Sequence, residues 1–208
     1  MTENDIKRIA DLVIEELPKH GIVQIEVSAR HVHLSQEDLE TLFGKGAKLT
    51  EKRPLSQPGQ YLAEERITLA GKKSKKENVA VLGPVRPHTQ VELSKGDCLA
   101  LGVDAPVRES GDVQGSGSIE LVGPRGTVRI DQGAIIAHNH IHLTPETAKA
   151  LQLKDKAHVQ VKVNSGRPLV FQDVIIRVSG QFANRMHIDS DEANAADISG
   201  TAIGTILL

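Results

Sequence analysis

The sequence predicts a mainly β protein of barrel type, with a few short helices and an amphipathic helix at its N-terminus. Three observations point there. Short alternating apolar runs recur, split by Gly-, Pro- and charge-rich turns such as Gly71-Lys72-Lys73, Gly83-Pro84, Gly115-Ser116-Gly117 and Gly123-Pro124-Arg125-Gly126. Helical spacing is confined to residues 3–17 and to two short stretches. Each of those stretches follows a His-x-His pair on a strand-like run, Arg30-His31-Val32-His33-Leu34-Ser35 or Asn139-His140-Ile141-His142-Leu143-Thr144.

Taken in order, Ile6, Ile9, Ala10, Val13, Ile14 and Leu17 form one helical face, with Thr2 or Asn4 as cap and Pro18 after the end. Lys19-His20-Gly21 reads as a linker. The helix either packs on its own domain or a neighbouring subunit, or is a detachable peptide that docks on a partner. Ile22, Val23, Ile25 and Val27 lead to the first His pair. Ser35 with Asp38 three residues on marks a helix start carrying Leu39, Leu42 and Phe43, and Gly44 stops it. Strands follow at 67–69, 79–82, 89–93, 119–122 and 127–130. Ile135 and Ile136 lead to the second pair, and Thr144-Pro145-Glu146 opens the second short helix. Further strands are expected at 158–163, 169–171, 174–178, 186–189 and 205–208, with an acidic, Ala-rich turn or helix after Asp189.

Composition excludes several classes. Among 208 residues, 25 basic and 27 acidic side chains leave a formal charge of −2, so no basic field draws nucleic acid or anionic lipid. Aromatic residues make up 2% and Trp is absent, which argues against base-stacking platforms. One cysteine, Cys98, rules out an internal disulfide framework and suits a reducing compartment. No apolar run reaches the roughly 18 residues of a membrane span, and the N-terminus lacks the apolar core of a signal peptide. The expectation is a cytoplasmic protein, homo-oligomeric, with no nucleic-acid or membrane partner. Neither a Gly-x-Ser-x-Gly elbow nor a phosphate-binding P-loop is present.

The chemistry lies in the histidines. Residues i and i+2 of a strand point to one side, about 6.5–7 Å apart, so two imidazoles can converge on one metal ion. His31, His33, His140, His142 and His187 form the candidate set, and imidazole suits zinc. One catalytic zinc needs three protein ligands and an open position, so five histidines allow two ions. His138 would share the strand face of His140. Cys98, in the apolar run Cys98-Leu99-Ala100-Leu101, reads as a buried structural thiol. Arg86 is the side chain best shaped to grip phosphate, and Glu92 is a possible carboxylate ligand.

Several ordered blocks go further. They are Ser28-Ala29-Arg30-His31-Val32-His33-Leu34-Ser35, Leu55-Ser56-Gln57-Pro58-Gly59-Gln60, Leu82-Gly83-Pro84-Val85-Arg86 with Thr89-Gln90-Val91-Glu92, Ala105-Pro106-Val107-Arg108-Glu109-Ser110-Gly111-Asp112, His140-Ile141-His142, and the run from Met186 to Ala195. Together, over about residues 22–200, they resemble the PduL-type phosphate acyltransferases (phosphate propanoyltransferases, or phosphotransacylases). The resemblance implies exchange of a short acyl group between coenzyme A and inorganic phosphate. It implies two β-barrel domains with the active site between them: 21–48 plus 136–208, and 49–135, after an N-terminal extension of residues 1–20. It implies two zinc ions, one on His31 and His33 with an open position for the coenzyme A sulfur, the other on Glu92, His140, His142 and His187. Arg86 would bind phosphate and Ser110 would line its site. The family expectation of Arg before the second His pair is not met, since Asn139 stands there. Some relatives use an amphipathic extension to enter bacterial microcompartments, a role that residues 1–20 would fit through shell or cargo contacts.

With no convincing nucleophile in the chain, direct transfer in a ternary complex is expected. Two other readings use the same residues: a zinc hydrolase of thioesters or acyl phosphates, and a non-catalytic metal-binding module.

Overall fold

The fold is seen in a computed structural model that describes residues 2–200 and 202–208; the side chains of residues 3 and 8–11 lie outside that description. In chain order, α1 (Glu3–Glu16) and a 3-10 turn (Leu17–His20) lead into β1 (Ile22–Ser28) and β2 (His31–His33). Then come α2 (Gln36–Phe43), β3 (Glu51–Pro54), β4 (Tyr61–Ala70), β5 (Lys75–Gly83), β6 (Gln90–Glu92), α3 (Lys95–Leu101) and β7 (Val107–Arg108). β8 (Gly117–Val122), β9 (Thr127–Ala137), β10 (His140–Leu143), α4 (Pro145–Ala150) and β11 (His158–Val163) follow. The chain closes with β12 (Leu169–Val178), β13 (Arg185–Asp189), α5 (Ser190–Ala195) and β14 (Ala202–Leu207).

The strands form two barrels. In the first, the order is β1-β13-β10-β12-β11-β14, and β14 returns to pair with β1. In the second, β4-β5-β2-β6-β9-β8 closes because β8 pairs with both β9 and β4; β3 and β7 attach at its margin. Closure removes the exposed edges that short strands would otherwise present. The compact units are Met1–Val27, Asn139–Ile188 and Glu192–Leu208 for the first, and Ser28–His138 with Asp189–Asp191 for the second. This differs from the expected segments: residues 28–48 belong with 49–135. The reason is pairing, since β2 bonds β5 and β6 of the second barrel.

Alternation sets each core. Val23, Ile25, Ile141, Leu143, Val161, Val163, Val174, Ile176, Met186 and Ile206 fill the first barrel. Val32, Leu69, Val79, Val81, Val91, Ile119, Leu121 and Ala134 fill the second, with Leu39 and Leu42 from α2. Each such Val, Leu, Ile or Met side chain contributes about 1.5–3 kcal/mol on burial.

The caps follow the expected chemistry. Thr2 closes a reciprocal box with Asp5 at the start of α1. Ser35 accepts from the Asp38 N–H at 3.1 Å, and Thr144 from that of Thr147 at 3.3 Å, with Pro145 in the first turn. Lys19-His20-Gly21 is not a loose linker: Pro18 is buried, and Lys19 bridges Glu16 at 3.0 Å and Glu146 at 2.9 Å. Ile6, Leu12, Val13 and Ile14 of α1 are exposed, while Ile9 and Ala10, placed on the same face by their spacing, lie outside the described side chains. No helix among the described residues is long and apolar enough to cross a membrane.

Candidate metal centres

In the second barrel, β2 and β6 run antiparallel with His31 opposite Glu92 and His33 opposite Gln90. Directly opposed residues share a face of the sheet. Val32 and Val91 turn into the core, so His31, His33, Gln90 and Glu92 come together on the other side. Glu92 Oε2 lies 3.4 Å from His31 Nε2, and its Oε1 lies 3.9 Å from His33 Nε2. Ligand atoms of the three side chains all fall within 4.8 Å of one another. His31 Nδ1 is 2.9 Å from the Ala29 carbonyl, which can only accept. The proton therefore sits on Nδ1, and the Nε2 lone pair points at the cluster.

These groups tune one another. Burial raises Glu92, but the charges and contacts of His31 and His33 outweigh it and hold the carboxyl below its ordinary range. Burial lowers His31, yet the nearby Glu92 charge leaves it above its usual value. His33 is pushed well below, first by burial and then by the charges of His31 and Arg86. A deprotonated carboxylate beside a neutral imidazole is a donor set suited to a divalent cation.

Arg86 follows the cis Gly83-Pro84 bond and is anchored by its own N–H to the Leu34 carbonyl at 2.9 Å. Its NH1 donates to Ser110 Oγ at 3.2 Å, and Ser110 Oγ donates to Glu92 Oε1 at 2.9 Å. Gln90, buried and unremarked in the sequence, donates to Glu92 Oε1 at 2.6 Å and to Ser110 Oγ at 2.9 Å.

In the first barrel the same geometry recurs with other residues. β10 pairs antiparallel with β13, placing His140 opposite His187 and His142 opposite Arg185. Ile141 and Leu143 face the core, which turns His140 and His142 to the other side. The rings of His140, His142 and His187 have centroids 4.7–5.2 Å apart, and their ligand atoms also lie within 4.8 Å of one another. Phe182 stacks on His142 at 3.9 Å and 19°. Both ring nitrogens of His142 are buried with no hydrogen-bond partner. Burial, and then the charges of His140, His187 and Arg177, push it down to about 2. A neutral, unsatisfied imidazole facing two others is costly unless a cation takes its lone pair. The residues present therefore fit a metal ion. Glu26, another residue the sequence did not single out, lies 3.9 Å from His187 Nδ1 and 3.4 Å from Arg185 Nε.

Among the described residues the candidate ligands fall in two groups, one of His31, His33 and Glu92 and one of His140, His142 and His187. Glu92 joins His31 and His33, because the β2–β6 register sets it there. His138 does not share a strand with His140: β9 ends at Ala137, β10 starts at His140, and the His138 N–H bonds the Arg108 carbonyl at 2.9 Å. The residues preceding each His pair play matching parts. Arg30 Nε donates to Asp97 of α3 at 2.8 Å, and Asn139 Nδ2 donates to Glu192 of α5 at 2.6 Å. Asp97 could have been found in the sequence, since Ser94 caps α3 by accepting the Asp97 N–H at 3.2 Å and Gly102 ends the helix. Cys98 on that helix is buried, which raises its thiol pKa.

Comparison with known proteins bears on what such a pair of centres does. A family profile described as phosphate propanoyltransferase matches residues 24–199. Similar proteins carrying that name include one from Clostridioides difficile, 46% identical over 99% of this chain and 98% of the relative. Others come from Listeria monocytogenes, 48% identical over 94% and 93%, and Thermotoga maritima, 52% identical over 88% of each chain.

Proposed function

The chain belongs to the phosphate propanoyltransferase family, a family of acyltransferases, and from that membership we propose a zinc-dependent mechanism of direct transfer. The reaction moves a short acyl group, propanoyl or acetyl, reversibly between coenzyme A and inorganic phosphate. One observation carries the reading. The wiring from His31 through Glu92 and Ser110 to Arg86 ties a metal-ligand set to a guanidinium shaped for phosphate.

His31, His33 and Glu92 would hold one zinc ion, and His140, His142 and His187 the other. Zinc there supplies Lewis acidity, which stabilises a departing thiolate and polarises an acyl oxygen. Arg86 holds the phosphate anion, and Ser110, bonded to both Arg86 and Glu92, fixes its approach. A phosphate oxygen attacks the thioester carbonyl carbon; the C–O bond forms, the C–S bond breaks, and its electron pair leaves on sulfur. Both substrates must be bound together, which turns the encounter into a positioned, unimolecular step. Cys98 is no competing nucleophile, because its thiol is buried and its pKa raised.

Thiol release from propanoyl- and acetyl-coenzyme A tests this. It should require phosphate, leave no acyl label on the protein, and fall at least about 100-fold in His31→Ala and His140→Ala. Release without phosphate would instead indicate a hydrolase, and labelled protein an acyl-enzyme.

The exposed apolar residues of α1 support a second role, docking of residues 1–20 on a second copy or a microcompartment partner. In the same assay a chain lacking those residues keeps its specific activity but changes oligomer size. Lost activity with unchanged size would contradict this role.

A further inference from the structure

Gln90 sits on β6 opposite His33, 2% exposed, and all of its amide's bonding is directed. Gly111 N–H, which can only donate, lies 2.7 Å from Oε1. That contact settles which end of the amide is oxygen. The NH2 end therefore faces Glu92 Oε1 at 2.6 Å and Ser110 Oγ at 2.9 Å. Ser110 Oγ in turn receives N–H groups from Gln90 and from Arg86, at 3.2 Å for the latter. Its single proton is left for Glu92 Oε1, 2.9 Å away. Two donors thus converge on Oε1, while Oε2 stands 3.4 Å from His31 Nε2.

We infer that Gln90 is a positioning residue that divides the work of the Glu92 carboxylate, committing Oε1 to the protein and presenting Oε2 to the metal. Through Ser110 the same amide sets the donor direction of Arg86 toward phosphate, so ligand geometry and anion binding are linked. The inference rests on the metal-dependent acyl-transfer reading. A methionine at 90 would fill the space without donating. A glutamate would place a second acceptor against Glu92 and Gly111's partner oxygen would carry charge. Only a neutral amide both accepts from Gly111 and donates twice. The corresponding position of the other barrel, opposite His142, is Arg185, so this device belongs to one centre alone.

The test measures zinc affinity by chelator competition on full-length, metal-stripped protein, alongside kcat and the phosphate KM. Gln90→Met should weaken one of the two zinc ions by about 10–100-fold, as loss of an outer-shell partner does elsewhere. It should also raise the phosphate KM. Gln90→Asn keeps the amide but cannot reach Glu92, and gives the same loosening if the Met variant fails to fold. Glu92→Gln is the control. If it loses zinc while both position-90 variants keep zinc affinity and phosphate KM within twofold, the positioning role is overturned. If Glu92→Gln also binds as wild type, the ligand reading beneath it falls too.

Discussion

The two His-x-His strands occupy equivalent places in their barrels, yet are wired in opposite ways. Each lies parallel to one strand and antiparallel to another: β2 beside β5 and β6, β10 beside β12 and β13. Each leads into a hydroxyl-capped helix, α2 or α4. Each antiparallel partner leads to a helix whose acid, Asp97 or Glu192, holds the residue before the His pair. Against that shared frame the third ligand differs: Glu92 opposite His31, but His187 opposite His140. One centre brings its own negative charge, which pairs favourably with His31, while the charge of His31 opposes protonation of His33. The other is three imidazoles, one with both nitrogens unsatisfied. The frame dictates where ligands converge; a single residue on the neighbouring strand dictates how strongly the site depends on what it binds.

Acid should separate the two most strongly. In metal-free protein, His33 and His142 stay neutral in the fold but take protons near 6.5 when unfolded. Their contributions are present above that value and decline as pH falls below it, by up to about 1.4 kcal/mol per pH unit each. His31, raised in the fold, acts the other way: its contribution is full below 6.5 and is lost as pH rises through its folded value. Glu92, lowered, adds stability above 4.5 that is lost only further into acid. Between pH 7 and 5, His31 thus opposes the loss at His33 within its own barrel. Amide hydrogen exchange should show β10 and β13 losing more protection than β2 and β6. Equal loss would break the comparison.

A smaller effect sharpens it. Asp97 is buried, and Asp97→Asn should destabilise by about 1 kcal/mol in urea unfolding, less than a fully buried charged hydrogen bond because Arg30 is partly exposed. Glu192→Gln keeps an acceptor for the neutral Asn139 amide and should cost less than about 0.5 kcal/mol.

Much of this was legible beforehand because its signals are local. The His pairs, the caps at Ser35 and Thr144, and the alternating strands depend on neighbours within a few residues. What escaped depends on pairing. Only Ala29 and Arg30 separate β1 from β2, and alternation cannot say that the chain there passes from one barrel to the other. Glu92 joins His31 through register, and Gln90 is one glutamine in a strand until its partners surround it. β3, fully exposed as Glu51–Pro54, has no apolar period to read. The apolar pattern predicts two strands at 169–171 and 174–178, but β12 runs through residues 169–178 with Asp173 in a left-handed conformation at φ +60° and its register shifted nearby. Helix α3 hid behind the apolar run at Cys98–Leu101, although Ser94 and Gly102 bracket it.

Counting zinc tests most directly whether each His-x-His frame holds its own metal ion. Elemental analysis of protein loaded with zinc and freed of excess should give two ions per chain. His31→Ala and His142→Ala should each give one. A wild-type value of one or none, or either substitution leaving the count unchanged, would contradict it.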